Sequence, residues 1–97
     1  MQPPVKEVTN ITTSTVAYKF AKEEVLENAY HRELRKDTLY LAMVLGNNYG
    51  KKVQMQTVTE DGTVELHGVI LALTEELILL KGGAKIPVCA VLEVKVY

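Results

Sequence analysis

Lys81, Gly82, Gly83 and Lys85 fall together in the stretch LLKGGAKIP. A glycine pair frees the backbone to aim N–H groups at an anion, and flanking ammonium groups add charge, so this loop can hold phosphate. Lys51 and Lys52, just after Gly50, can extend the same basic rim, and Tyr49 offers a ring on which a base can stack. The plain alternative is a solvated hairpin tip guarded by lysines. Glu75 and Glu76 are paired carboxylates, but neighbours in a turn need not converge on one substrate, so they read as a solvated turn. His31, His67 and Cys89 match no compact metal-ligand spacing. Tyr18, Tyr30, Tyr40 and Tyr49 offer rings on which bases could stack, but they read first as helix and interface packing. There is no P-loop, no GxSxG, no CxxC pair and no HExxH. The residues argue against an enzyme, and no metal or cofactor is expected.

The bulk properties narrow the field further. A chain of 97 residues fits one domain with a small core. Eleven basic against twelve acidic residues give a formal charge of -1, so no global field draws it to nucleic acid or an anionic membrane. The single cysteine, Cys89, allows no intrachain disulfide, in keeping with a reducing compartment. The start, MQPPVKEV, lacks a charged-then-apolar leader, and no apolar run is long enough to cross a bilayer. The expectation is a soluble cytoplasmic protein with no membrane partner.

The elements that must position these residues change character midway. Residues 1–13 read as an arm or a short edge strand, and Thr13, Ser14 or Thr15 can cap a helix. Ala21, Val25 and Ala29 recur every four residues, as do Leu26, Tyr30 and Leu34, with charges filling the rest of the surface. That spacing predicts an amphipathic helix of about five turns. Lys36-Asp37-Thr38 can divide it from TLYLAMVL, which reads as a second helix, with a strand as the alternative. Gly46 and the Asn47–Gly50 turn are expected to end it.

From Lys51 onward the period becomes two. Val53, Met55 and Thr57 alternate with Gln54 and Gln56, and Asp61-Gly62 marks a hairpin. The next strand is long, with Leu66, Gly68, Ile70 and Ala72 on one face and Val69, Leu71 and Leu73 on the other; Gly68 permits a sharp bend. LILLK is apolar on both faces, Gly82-Gly83 turns the chain, and Pro87 belongs at a strand edge or bend. In the last strand Val88, Ala90, Leu92, Val94 and Val96 share a side. The expected fold is mainly β with an N-terminal α portion: a small, strongly bent five-stranded antiparallel barrel preceded by one or two helices. One face of such apolar strands fills the barrel. The other needs the helices or neighbouring subunits, and a long apolar terminal edge is normally paired. Leu92, Val94, Val96, Ile86 and Val88 are the candidate subunit interface.

The order helix, VQMQTVTEDG, a bent strand carrying Gly68, then LILLK resembles the Sm-like family, which includes the Sm, LSm and bacterial Hfq proteins. GVILALTEELILLK is the stretch most similar to the Hfq-type first motif, and DTLYLAMVLGNNYGKKVQM resembles the family's short helix leading into its first strand. The resemblance covers residues 37–97, leaving residues 1–36 as an N-terminal arm and helical extension. It implies a five-stranded barrel, a homo-oligomeric ring of five to seven subunits joined edge to edge, and single-stranded RNA bound near the pore.

The sequence also departs from that pattern. The family's acidic and asparagine positions hold Thr74 and Ile78, its stacking aromatic is replaced by Glu76, and its second motif aligns with Pro87-Val88-Cys89 or with Cys89-Ala90. Stacking and charge-assisted contacts are what hold a single strand, and these positions supply neither. Two expectations follow: an Sm-like ring holding RNA through Lys81, Lys85 and Tyr49, or a ring or scaffold of the same fold that has lost that pocket.

Overall fold

The computed structural model describes residues 5–10 and 19–96. Thr13, Ser14, Thr15, Tyr18 and Tyr97 lie outside them. Strand β1 (Val5–Asn10) is followed by one helix, α1 (Ala29–Tyr49), and six further strands. These are β2 (Val53–Thr59), β3 (Gly62–Gly68), β4 (Ile70–Leu73), β5 (Leu77–Leu80), β6 (Lys85–Pro87) and β7 (Val91–Val96), with a 3-10 turn over Val88–Ala90.

The helical region differs from the sequence expectation at both ends. Residues 19–28 are not helical. Their main-chain groups are taken by neighbours instead. Glu60 N–H donates to the Lys19 carbonyl and Ala21 N–H to Val58, both at 2.9 Å, and Val25 N–H donates to Cys89 at 3.0 Å. Tertiary hydrogen bonds thus override a helical spacing in the sequence. The helix starts where Asn28 caps it, its side chain accepting from Tyr30 N–H at 2.8 Å and His31 N–H at 3.4 Å. Lys36-Asp37-Thr38 does not break it. Thr38 turns its hydroxyl onto the Leu34 carbonyl at 2.8 Å, a bond made within an intact helix.

Nor does Gly46 end the helix. It is buried in the last turns, and a Cβ there would lie 2.5 Å from the Ile70 carbonyl oxygen. Its role is close approach of helix to strand. The terminator is Gly50, left-handed at φ 64°, whose N–H returns to the Gly46 carbonyl at 2.9 Å.

The strands form two sheets, ordered β1-β3-β2-β7 and β4-β5-β6. All pairings among β2–β7 are antiparallel, whereas β1 lies parallel on β3 as an edge strand. The Asp61-Gly62 hairpin joins β2 to β3, with Thr59 opposite Gly62. The long bent strand expected from the sequence divides at Val69: Gly68 pairs with Val53 in the first sheet and Ile70 with Leu80 in the second. Gly82 and Gly83 make the β5–β6 turn at φ 103° and 98°.

Two expected face assignments shift. The register slips between Ile70 and Ala72, so Ala72 is exposed and Leu73 packs on the core. The 3-10 turn and a register slip beside Thr57 reset the last strand, so Val91 is fully buried where Leu92 was expected. The core draws on every layer: Leu39 and Ala42 from α1, Met55 from β2, Leu66 from β3, Ile70 from β4, and Ile78, Leu80, Ile86 and Val91 from the later strands.

Candidate interaction surface

The expected phosphate-binding residues divide between two places. Lys81 donates its backbone N–H to the Val69 carbonyl at 2.8 Å, which fixes the Lys81-Gly82-Gly83 turn at the strand bend. Gly46 of α1 packs on Ile70 at the same bend, and Lys51-Lys52 lead into Val53, opposite Gly68. Tyr49, Lys51, Lys52, Lys81, Gly82 and Gly83 therefore share one end of the molecule, all exposed, with Tyr49 at 75%. Lys85 is elsewhere. It pairs with Leu79 on the outer face of the second sheet and lines a depression of about 680 Å³ with Glu24, Glu75 and Glu76. Those carboxylates oppose an anionic ligand there.

Glu75 and Glu76 are held in a local turn. Thr74 Oγ1 accepts the N–H of Leu77 at 2.9 Å and of Glu76 at 3.2 Å, while Thr74 N–H donates to the Leu77 carbonyl at 2.9 Å. Thr74 therefore shapes the β4–β5 turn. His31 lies in the first turn of α1, His67 bonds Glu65 at 3.1 Å on β3, and Cys89 lies 3.6 Å from the Ala21 carbonyl. They sit on three separate elements, and no group of three potential metal ligands forms among the described residues.

Arg35 was expected on the charged helix surface. It is instead 8% exposed, on the α1 stripe Arg35, Leu39, Ala42, Gly46 that faces the core. Its Nη1 donates to Glu24 Oε2 at 2.7 Å and to the Val91 carbonyl at 2.9 Å, and its Nη2 to Glu24 Oε1 at 2.5 Å. Burial pushes the Glu24 carboxyl up, but the Arg35 hydrogen bond, the Leu26 N–H and the charges of Arg35 and Arg32 outweigh it and hold the group below its ordinary range. The signal was present in the sequence: positions 35, 39, 42 and 46 keep helical spacing. A groove of about 700 Å³ opens beside this pair, lined by Arg32, Lys36, Tyr40 and Glu75 among others. Its charges are of both signs, and Arg35 serves as a strut, so the groove shows no concentrated binding chemistry.

A different surface is more distinctive. About a third of a turn from the buried stripe, α1 carries a second apolar line. Tyr30 is 70% exposed, Leu34 51% and Leu41 52%, continued by the half-buried Leu45. Arg32, Lys36 and Tyr40, on the opposite flank of α1, line the groove with Leu73 of β4. Helix α1 packs on both β4 and β7.

Strand β7 ends the first sheet, and among the described residues no strand pairs its outer side. Of the five expected interface residues, Leu92, Val94 and Val96 lie half-buried on this strand. Val94 and Val96 stand opposite the core residues Met55 and Val53. Glu93 and Lys95 are exposed on the other face, 3.7 Å apart. Ile86 lies wholly in this chain's own core, and Val88 begins the 3-10 turn beside Arg35. Among the described residues, then, the β7 edge is open to pairing and the helix line is open to solvent.

No helix among the described residues is long and apolar enough to cross a membrane. Comparison with known proteins finds no matching family model, no matching curated protein and no matching solved structure.

Proposed function

We propose that this chain is a non-catalytic, Sm-like assembly module that joins copies of itself through the β7 edge, and that RNA binding is not its main work. The observations that carry this reading are the β7 edge, which no strand pairs among the described residues, and the exposed Leu34–Leu41 line of α1. An open strand edge and an apolar helix line are both costly to leave in water. Support for an Sm-like barrel comes from the order of parts: a leading helix, a strand bent beside Gly68, a 3-10 turn before the last strand, and that strand returning to pair with β2. In this reading the two sheets close into one small barrel through the bend at Val69. The reading is tested by molar mass from light scattering across protein concentration. A mass above that of one chain is expected, and it should fall when Leu34→Glu and Leu41→Glu are introduced together.

A second reading rests on one observation: Tyr49, Lys51, Lys52 and Lys81 share one exposed end. Repeated in an assembly, such an end could hold a single strand by charge and stacking. Salt-dependent binding to short uridine-rich or adenosine-rich RNA, lost in a Lys51→Ala, Lys52→Ala, Lys81→Ala variant, would favour it.

A further inference from the structure

We infer that the partner at the β7 edge is a second copy of the same strand, antiparallel and related by a two-fold axis at Val94. This rests on the self-assembly reading above and specifies its geometry.

The first ground is charge. Antiparallel pairing of two β7 strands about Val94 sets Glu93 opposite the other copy's Lys95, and Lys95 opposite its Glu93. Both residues are exposed and on the same face of the strand. Opposite charges directly across an antiparallel pair are favourable, and like charges are not. On the other face, Val94 meets its own copy with Val96 beside it, and Leu92 is the residue that the register slip leaves without a β2 partner. The register is therefore polar on one side and apolar on the other, as a half-buried sheet requires.

The second ground is the helix. The two-fold continues the sheet as β1-β3-β2-β7-β7-β2-β3-β1. Helix α1 packs on β7 as well as β4, and it carries the exposed Leu34–Leu41 line. The axis brings the two helices to the same side of the extended sheet, and the proposed contact sets their two apolar lines against each other. An isologous contact of this kind is self-complementary and closed at two copies.

The third ground is the poverty of the β6 edge as a head-to-tail partner for β7. Val88 N–H bonds the Glu76 carbonyl at 2.9 Å and Leu80 N–H bonds the Ala84 carbonyl at 2.8 Å. These bracket the Ile78–Ile86 pair, so Lys85 and Pro87 turn their main-chain groups outward. Proline has no N–H, so β6 offers a neighbour one strand donor, that of Lys85.

Charge reversal tests the register. Glu93→Lys alone sets lysine against Lys95 twice across the axis, and Lys95→Glu alone sets glutamate against Glu93 twice. Each variant should associate about tenfold more weakly than the native chain, or worse. An equimolar mixture of the two variants restores opposite charges at both positions and should recover the native mass by sedimentation equilibrium. A β7-to-β6 contact gives no such recovery, because each contact then uses only one copy's β7. Single variants that keep the native mass, or a mixture that stays dissociated, overturn the two-fold pairing while leaving assembly intact. A native chain that is monomeric throughout overturns the assembly reading and this inference with it. As an independent readout, amide exchange at Val94–Val96 should slow as native concentration rises, and unchanged exchange contradicts the pairing.

Discussion

Arg35 and Glu24, eleven residues apart in the chain, are joined by two hydrogen bonds of 2.7 and 2.5 Å. The same guanidinium reaches the Val91 carbonyl at 2.9 Å. One side chain of α1 therefore fastens the extended lead-in to the helix and the start of β7. The strand that presents the proposed interface is thus anchored at its root by a half-buried ion pair.

Removing that anchor should destabilise the fold. Arg35→Ala is expected to cost about 1–3 kcal/mol by urea unfolding, below the full figure for a buried pair because Glu24 is partly solvated. Glu24→Gln should show a smaller loss.

The same pair gives a pH dependence of known sign. The Glu24 carboxyl titrates below its ordinary value of 4.5 in the folded chain. Its contribution is therefore present above that value and is lost as pH falls through the folded value. The native chain should lose stability faster than Glu24→Gln as pH falls below 4.5. Parallel curves for the two proteins would deny the linkage.

Two glycines of α1 should respond in unequal measure. Gly46→Ala places a methyl group 2.5 Å from the Ile70 carbonyl oxygen, so helix or strand must move, at about 1–3 kcal/mol. Gly50→Ala meets no atom within 4 Å but keeps a φ of +64°, which costs about 1 kcal/mol. Thermal unfolding should place Gly46→Ala as the less stable variant.

Neighbouring residues on β5 separate core from surface. Ile78 is fully buried, whereas Leu77 is 41% exposed. Ile78→Ala should cost about 2–5 kcal/mol, and Leu77→Ala much less. Equal losses would mean that Leu77 is covered in solution.

Much of the β half was legible in the sequence. Alternation located Val53, Met55 and Thr57 on the buried face of β2, and the Asp61-Gly62 and Gly82-Gly83 turns fall where their residues require. What was not legible depended on partners distant in the chain. The spacing of Ala21, Val25 and Ala29 suits a helix, but residues 19–25 find better donors and acceptors on β2 and the 3-10 turn. Gly46 resembles a helix stop until Ile70 is seen against it. Arg35 resembles a surface charge until Glu24 folds back onto it. The basic cluster was half legible: Lys81 joins Lys51 and Lys52 at the Val69 bend, but Lys85 was separated by the strand alternation that turns it outward on β6.

The β7 surface makes the central claim open to one direct measurement. Light scattering on the native chain, from low to high concentration, should give a mass that rises from one chain toward an integer multiple of it. The Leu34→Glu, Leu41→Glu variant should stay at the mass of a single chain while remaining folded. A native chain that stays monomeric across the full range would contradict the account.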